Sequence, residues 1–131
     1  MYAWNDIRSV VILHDEVEVK HIAEQLLREG KEVQVWSMPE KKDICWLTGM
    51  PKKEVREEVQ SRHYDLMIDL TQQPNITMQY MAMYVKAGIK TGRDIGKRLY
   101  DLSIDTPAQQ TPDFLFEQVV KYIQMFTQKR S

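Results

Sequence analysis

The chain has 131 residues, 15.5 kDa, 18 Lys plus Arg against 19 Asp plus Glu, and one cysteine. A formal charge of −1 argues against a nucleic-acid protein held by overall charge. Cys45 alone excludes an intramolecular disulfide and any paired Cys/His spacing for zinc.

At this mass, area scaling buries roughly 68% of the unfolded surface, enough for one core and too little for two. Residues 1–131 are therefore expected to form a single domain. Met1 to Arg8 carries Asp6 and Arg8 and leads into only a short apolar run, Val10 to Leu13. That run is too short for a signal core or a membrane span. The lone cysteine fits a reducing compartment, so a cytoplasmic protein without membrane contact is expected.

Arg8 to Leu13 is short, β-branched and unbroken, which predicts a strand buried on both faces. Val17 to Glu29 places Val19, Ile22, Ala23, Leu26 and Leu27 at helical spacing, with Asp15 and Glu18 as a capping box and Gly30 as the stop. Val33 to Ser37 is a second strand, Pro39 to Asp43 a charged loop, and Ile44 to Leu47 a short edge strand. Pro51 is expected to open a helix reaching about Arg62.

Leu66 to Leu70 is a strong buried strand. Asn75 caps a Met-rich helix from Ile76 to Ala87; the same Asn75-Ile76-Thr77 fits a glycosylation acceptor, but the cap is the better account. Gly88 is read as that helix's stop, Ile89 to Thr91 as a short strand, and Tyr100 to Ile104 as the last strand. Thr111 and Pro112 open a closing helix to about Gln128. This alternation predicts an α/β fold, a three-layer α/β/α Rossmann-like sandwich around a mostly parallel sheet.

In such sheets ligands bind beyond the carboxyl ends of the strands. That rule gathers His14, Asp15, Ser37, Asp69, Thr71, Gly92, Arg93 and Asp105 on one rim. Of the three acids there, Asp15 has a capping role and Asp105 precedes a Thr106-Pro107 turn, so no metal is expected; Asp69 has no local explanation. Lys86, Lys90, Arg93, Lys97 and Arg98 concentrate positive charge, opposed there only by Asp94. A loop of that kind can hold a phosphate, although a solvated charged loop is the commoner outcome.

His14-Asp15-Glu16 after the first strand contains no glycine, so no dinucleotide fingerprint exists and no cofactor is expected. His14 at the rim is the one candidate general base. Cys45 beside Trp46 reads as a packed thiol, and Met78, Met81, Ala82 and Val85 read as core. The last helix has an apolar arc wider than one stripe, which leaves Leu115, Val119, Tyr122 and Phe126 for a homodimer contact.

Three resemblances accompany these readings. Tyr64-Asp65-Leu66-Met67-Ile68-Asp69-Leu70, followed by Lys86-Ala87-Gly88-Ile89-Lys90-Thr91-Gly92, resembles the amino-terminal half of heptosyltransferase-type glycosyltransferases over residues 64–93. It implies a Rossmann-type half-domain related to sugar-nucleotide chemistry. Val11 to Glu16 resembles the acidic first turn of receiver domains, with Asp69 near their phospho-accepting strand. The spacing from Asp65 to Asp69 and the sequence Ile104-Asp105-Thr106-Pro107 depart from that pattern, so phosphotransfer is not implied.

Over nearly its whole length the chain resembles a small uncharacterised bacterial family, through Trp4, Ile68-Asp69-Leu70-Thr71, Met78 to Tyr84 and Leu115 to Ile123. That resemblance implies no activity. The expectation is a non-enzymatic binding or interaction module. The alternative is a protein that binds a phosphate-bearing small molecule, a nucleotide or nucleotide-sugar, through His14, Asp15, Asp69, Thr71 and Arg93.

Overall fold

A computed structural model describes residues 4–15, 19–72, 75–94, 99–105 and 111–128, with side chains in the last helix through Met125. Five strands form one sheet: β1 (Ser9–His14), β2 (Glu32–Ser37), β3 (His63–Asp69), β4 (Lys86–Arg93) and β5 (Leu102–Ile104). Their order is β2-β1-β3-β4-β5 and every pairing is parallel. This is the flavodoxin-like order, whose switch point lies between β1 and β3. The expected α/β sandwich is present.

The unbroken apolar runs form the central strands because both faces are covered. Val10, Ile12, Leu66 and Ile68 face α1 (Lys20–Arg28) and α4 (Pro112–Gln128), where Ile22, Leu26, Leu115 and Val119 meet them. Val11, Leu13 and Met67 face α2 (Lys53–Val59) and α3 (Ile76–Tyr84), where Val59, Met78, Met81 and Ala82 close the other layer. The Met-rich helix is core, as its spacing predicts.

Several local readings are corrected. Ile44 to Leu47 is no strand; Ile44 makes one isolated antiparallel bridge to Pro51. Pro51 does not begin a helix, because that bridge holds it; α2 starts at Lys53 after Lys52. Gly88 does not stop α3, which ends at Tyr84 with Val85 already extended, and Gly88 lies inside β4. Pairing of β4 along β3, from His63↔Lys86 to Asp69↔Gly92, overrides the local glycine signal.

Asp15 does not cap α1: that helix begins after Val19 with no side-chain cap, and Asp15 accepts from Gln72 N–H at 3.0 Å. Glu16 and Glu18 lie outside the described residues. Asn75 does cap α3, its Oδ1 accepting from Met78 N–H at 2.8 Å. Thr111 caps α4 through Phe114 N–H at 3.3 Å.

Two of the four residues read on the last helix as a homodimer contact lie inside the domain. Leu115 and Val119 are fully buried against the sheet, so neither can face a second copy. Tyr122 stays 39% exposed; the side chain of Phe126 lies outside the described residues. The helix is wide in its apolar arc because it covers Ile104 of β5 and Trp4 at the other end as well as the central strands.

Candidate functional site

Strand alternation divides the expected rim residues between two faces. Leu13 pairs with Asp69 in the β1–β3 register, so both side chains lie on the α2/α3 side. His14, one residue on, points to the α1/α4 side. His14 and Asp69, grouped on one rim by the sequence, therefore lie on opposite faces of the sheet. His14 is buried, its Nδ1 meets no hydrogen-bond partner among the described residues, and burial holds its pKa below the ordinary value against the opposing charge of Asp15.

Asp69 ends β3 and is buried. Its Oδ1 accepts from Thr71 N–H at 3.0 Å and from the Thr71 hydroxyl at 2.5 Å. Its Oδ2 accepts from the Tyr100 hydroxyl at 2.6 Å. Burial raises the carboxyl above its usual range and Asp15 adds to that rise, while the donors from Thr71 and Tyr100 oppose it. Desolvation of the charged form outweighs the three donors.

Tyr100 was not singled out by sequence reasoning, yet it completes the site. The reason it reaches Asp69 is Gly92. Gly92 pairs with Asp69 across β3–β4, and a Cβ placed there would sit 2.7 Å from the Tyr100 ring. Only a glycine lets the ring lie flat on the strand with its hydroxyl over Asp69. A glycine within a strand is the signal for a close approach of this kind. Burial, then the charge and hydrogen bond of Asp69, push the Tyr100 phenol far above its ordinary pKa, with Arg93 opposing.

Arg93 ends β4, is buried, and donates from Nη1 to Gln72 O at 2.8 Å. Asp15 holds the same turn through Gln72 N–H, so the β1, β3 and β4 termini are tied together at one residue. Asp69, Thr71, Gln72, Arg93 and Tyr100 line a cavity of about 30 Å³ with Asn75 and with Met78 and Gln79 of α3. Such a space holds a water or two, or one small polar group; enclosed sites for drug-sized ligands run to about 300–1,000 Å³.

The remaining candidates fall elsewhere. Asp105 follows β5 and is exposed, and Ser37 ends the edge strand β2. Lys90 donates to the carbonyls of Ala82 and Met83 at 3.0 and 3.2 Å, closing the end of α3 rather than facing a ligand. Lys97 and Arg98 lie outside the described residues, as do Thr106 and Pro107. Among the described residues no group of three or more His, Cys, Asp or Glu side chains is arranged to hold a metal. No helix there is long and apolar enough to cross a membrane. Cys45 is not packed in the core: it is half-buried in a loop, and a hydrogen bond from Thr48 holds its thiol below the ordinary value.

Fold and site together define a parallel α/β domain with a small pocket at the carboxyl edge of its sheet. The chain belongs to DUF6913, a family of unknown function, whose sequence profile covers residues 29–126. The matched span includes Asp69, Thr71, Arg93 and Tyr100 and leaves out His14 and Asp15. No curated protein and no solved structure matches the chain.

Proposed function

We propose that the protein is a non-enzymatic binding module whose ligand enters the pocket formed by Asp69, Thr71, Arg93 and Tyr100. The observation that carries this reading is the Asp69 carboxyl, buried at a cavity and held by two hydroxyls beside the Arg93 guanidinium. A buried carboxyl with a raised pKa beside a cavity marks a candidate recognition site. The separation of His14 from the pocket supports binding over catalysis, since the histidine read as a general base stands on the other face of the sheet.

The ligand class that fits best is a molecule with one small charged or polar end, such as the terminal phosphate of a nucleotide or sugar nucleotide. The resemblance of residues 64–93 to one half of a heptosyltransferase-type glycosyltransferase supports starting there. The cavity admits only that end, so the rest of such a ligand lies across the carboxyl edge. A cytoplasmic, bacterial setting accords with this reading.

Thermal unfolding with inorganic phosphate, ADP and UDP-glucose tests it. Saturating a one-site ligand at a hundred times its Kd stabilises the folded state by about 2.7 kcal/mol. Stabilisation by at least one of the three, abolished in Arg93→Met, is the expected result. No shift with any of them, and no difference between Arg93→Met and the parent, removes the phosphate-bearing ligand.

A further inference from the structure

On the α2/α3 side a loop carries apolar side chains into water on a scaffold that is firmly built. Ile44 bridges Pro51. Cys45 N–H donates to Met50 O, Gly49 N–H to Cys45 O, and Lys52 N–H to Asp43 O, each at 2.8 Å. The Thr77 hydroxyl of α3 donates to Gly49 O at 2.7 Å. Gly49, at φ +76°, sits so close to α3 that a Cβ would lie 2.5 Å from Ile76 Cγ2. This frame holds Trp46 at 88% and Leu47 at 73% exposure. Adjacent large apolar residues displayed on a hydrogen-bonded loop mark an interaction surface, and Trp is the residue most enriched where binding energy concentrates.

Beside the base of this loop lies a cleft of about 300 Å³. Trp36, Met38, Val55 and Met81 line it together with Glu40, Lys42, Asp43 and Glu58, three acids to one lysine. Asp43 belongs to both features, since its carbonyl closes the loop through Lys52. A protruding indole and a cleft large enough for one aromatic group therefore stand side by side.

Charge selects the occupant. Between Glu40 and Glu58 the chain carries five basic and five acidic side chains. A surface that meets an anionic bilayer or a nucleic acid carries an excess of Lys and Arg. In a two-fold contact residue i meets j and j meets i, so a loop flanked by lysines and a cleft carrying more acids than lysines complement each other across two copies.

We propose that this face is the contact with a second copy of the chain, Trp46 of each copy seated in the cleft of the other between Met38 and Val55. The contact is independent of the Asp69 pocket and replaces the last helix as the self-association surface. Lys41 and Lys52, on either side of each tip in the sequence, then meet Glu40, Asp43 and Glu58 of the opposing cleft.

Sedimentation equilibrium from 1 to 200 μM tests the proposal. The parent is expected to form a dimer. Trp46→Ser should weaken it about thirtyfold or more, the usual scale for a central Trp. Leu47→Ser should weaken it less, and Met38→Glu, which places a charge in the cleft, should act like Trp46→Ser. All three positions are exposed, so circular dichroism should show unchanged folds.

Mixing Trp46→Ser with Met38→Glu is the decisive arm. One variant keeps the cleft and the other keeps the indole, so the mixture regains one contact and associates where neither does alone. Tyr122→Ala should leave the parent affinity unchanged. A parent that stays monomeric, a Trp46→Ser dimer of full strength, a folded pair that fails to complement, or dissociation by Tyr122→Ala overturns the proposal. Sedimentation of a monomeric parent with phosphatidylserine vesicles would assign the tip to a bilayer instead.

Discussion

At the amino edge of the sheet Lys31 is buried beside the 3-10 turn Trp4–Asp6, and at the carboxyl edge Asp69 is buried beneath Tyr100. Lys31 donates to the carbonyls of Trp4 and Ile7 at 2.9 and 2.6 Å and lies 4.5 Å from the centre of the Trp4 ring. Burial pulls its ammonium below the ordinary value, against Glu29 and Asp65. Near it, Asp65 accepts from Arg8 and Ser9 N–H at 2.8 and 3.2 Å and fastens the start of β1. The charges at this edge are answered mainly by backbone.

Asp69 is answered by side chains, Thr71 and Tyr100, together with one backbone N–H, and it borders a cavity. Backbone partners are fixed by the fold, whereas hydroxyls can rotate to new partners. A buried charge closed by backbone works as a fastening; one closed by hydroxyls at a cavity is equipped to change partners when a ligand arrives. The two edges thus separate a charge held by the main chain from one held chiefly by side chains at a cavity.

The largest way to break the comparison is Lys31→Ala. It strands two carbonyls and removes a buried alkyl stem, and should cost about 3 kcal/mol in urea unfolding. Lys31→Met, which keeps the stem, should recover part of that loss. Neither variant should alter ligand-induced thermal shifts at the other edge, so a change there would erase the distinction.

Gly92→Ala comes next. The added methyl meets the Tyr100 ring and should lift it off the strand at about 2 kcal/mol, the scale of overpacking in a filled site. Ultraviolet difference spectra should report a more solvated tyrosine. Tyr100→Phe removes only the hydroxyl and should cost about 1 kcal/mol by urea titration. An unchanged midpoint would mean that the Asp69 bond contributes nothing.

The smallest effect is a slope. The Asp69 carboxyl is raised above its ordinary value of 3.8, so the folded state holds the proton more tightly than the unfolded state. Its stabilising contribution is complete at acid pH and is lost as pH climbs from that value through the raised one. Asp69→Asn should therefore flatten the decline in urea midpoint over that window. His14 acts in the opposite sense: lowered from 6.5, it favours folding above that value and loses its contribution as pH falls through the depressed one. His14→Gln should remove that acid-side loss while leaving the Asp69 slope in place.

Much of the architecture was legible in the residues. β1 and β3 announce themselves as unbroken apolar runs, and the helix caps at Asn75 and Thr111 follow from side chains that accept from their own next turn. These features depend on neighbours within a few positions. The carboxyl-edge rule also marked Asp69, Thr71 and Arg93 before any geometry was known, because parallel order places strand ends together.

Tertiary structure alone decided the rest. The face of each strand-end residue depends on register, and the Leu13↔Asp69 pairing is what sends His14 away from the pocket. Gly88 reads as a helix stop in isolation, and only its pairing along β3 makes it part of a strand. Tyr100 joins Asp69 because Gly92 leaves room for its ring. Lys31 looks like an ordinary surface lysine until the turn at Trp4 folds over it. Local chemistry set which segments became strands and helices; burial, register and the space left by one missing methyl group set which side chains met.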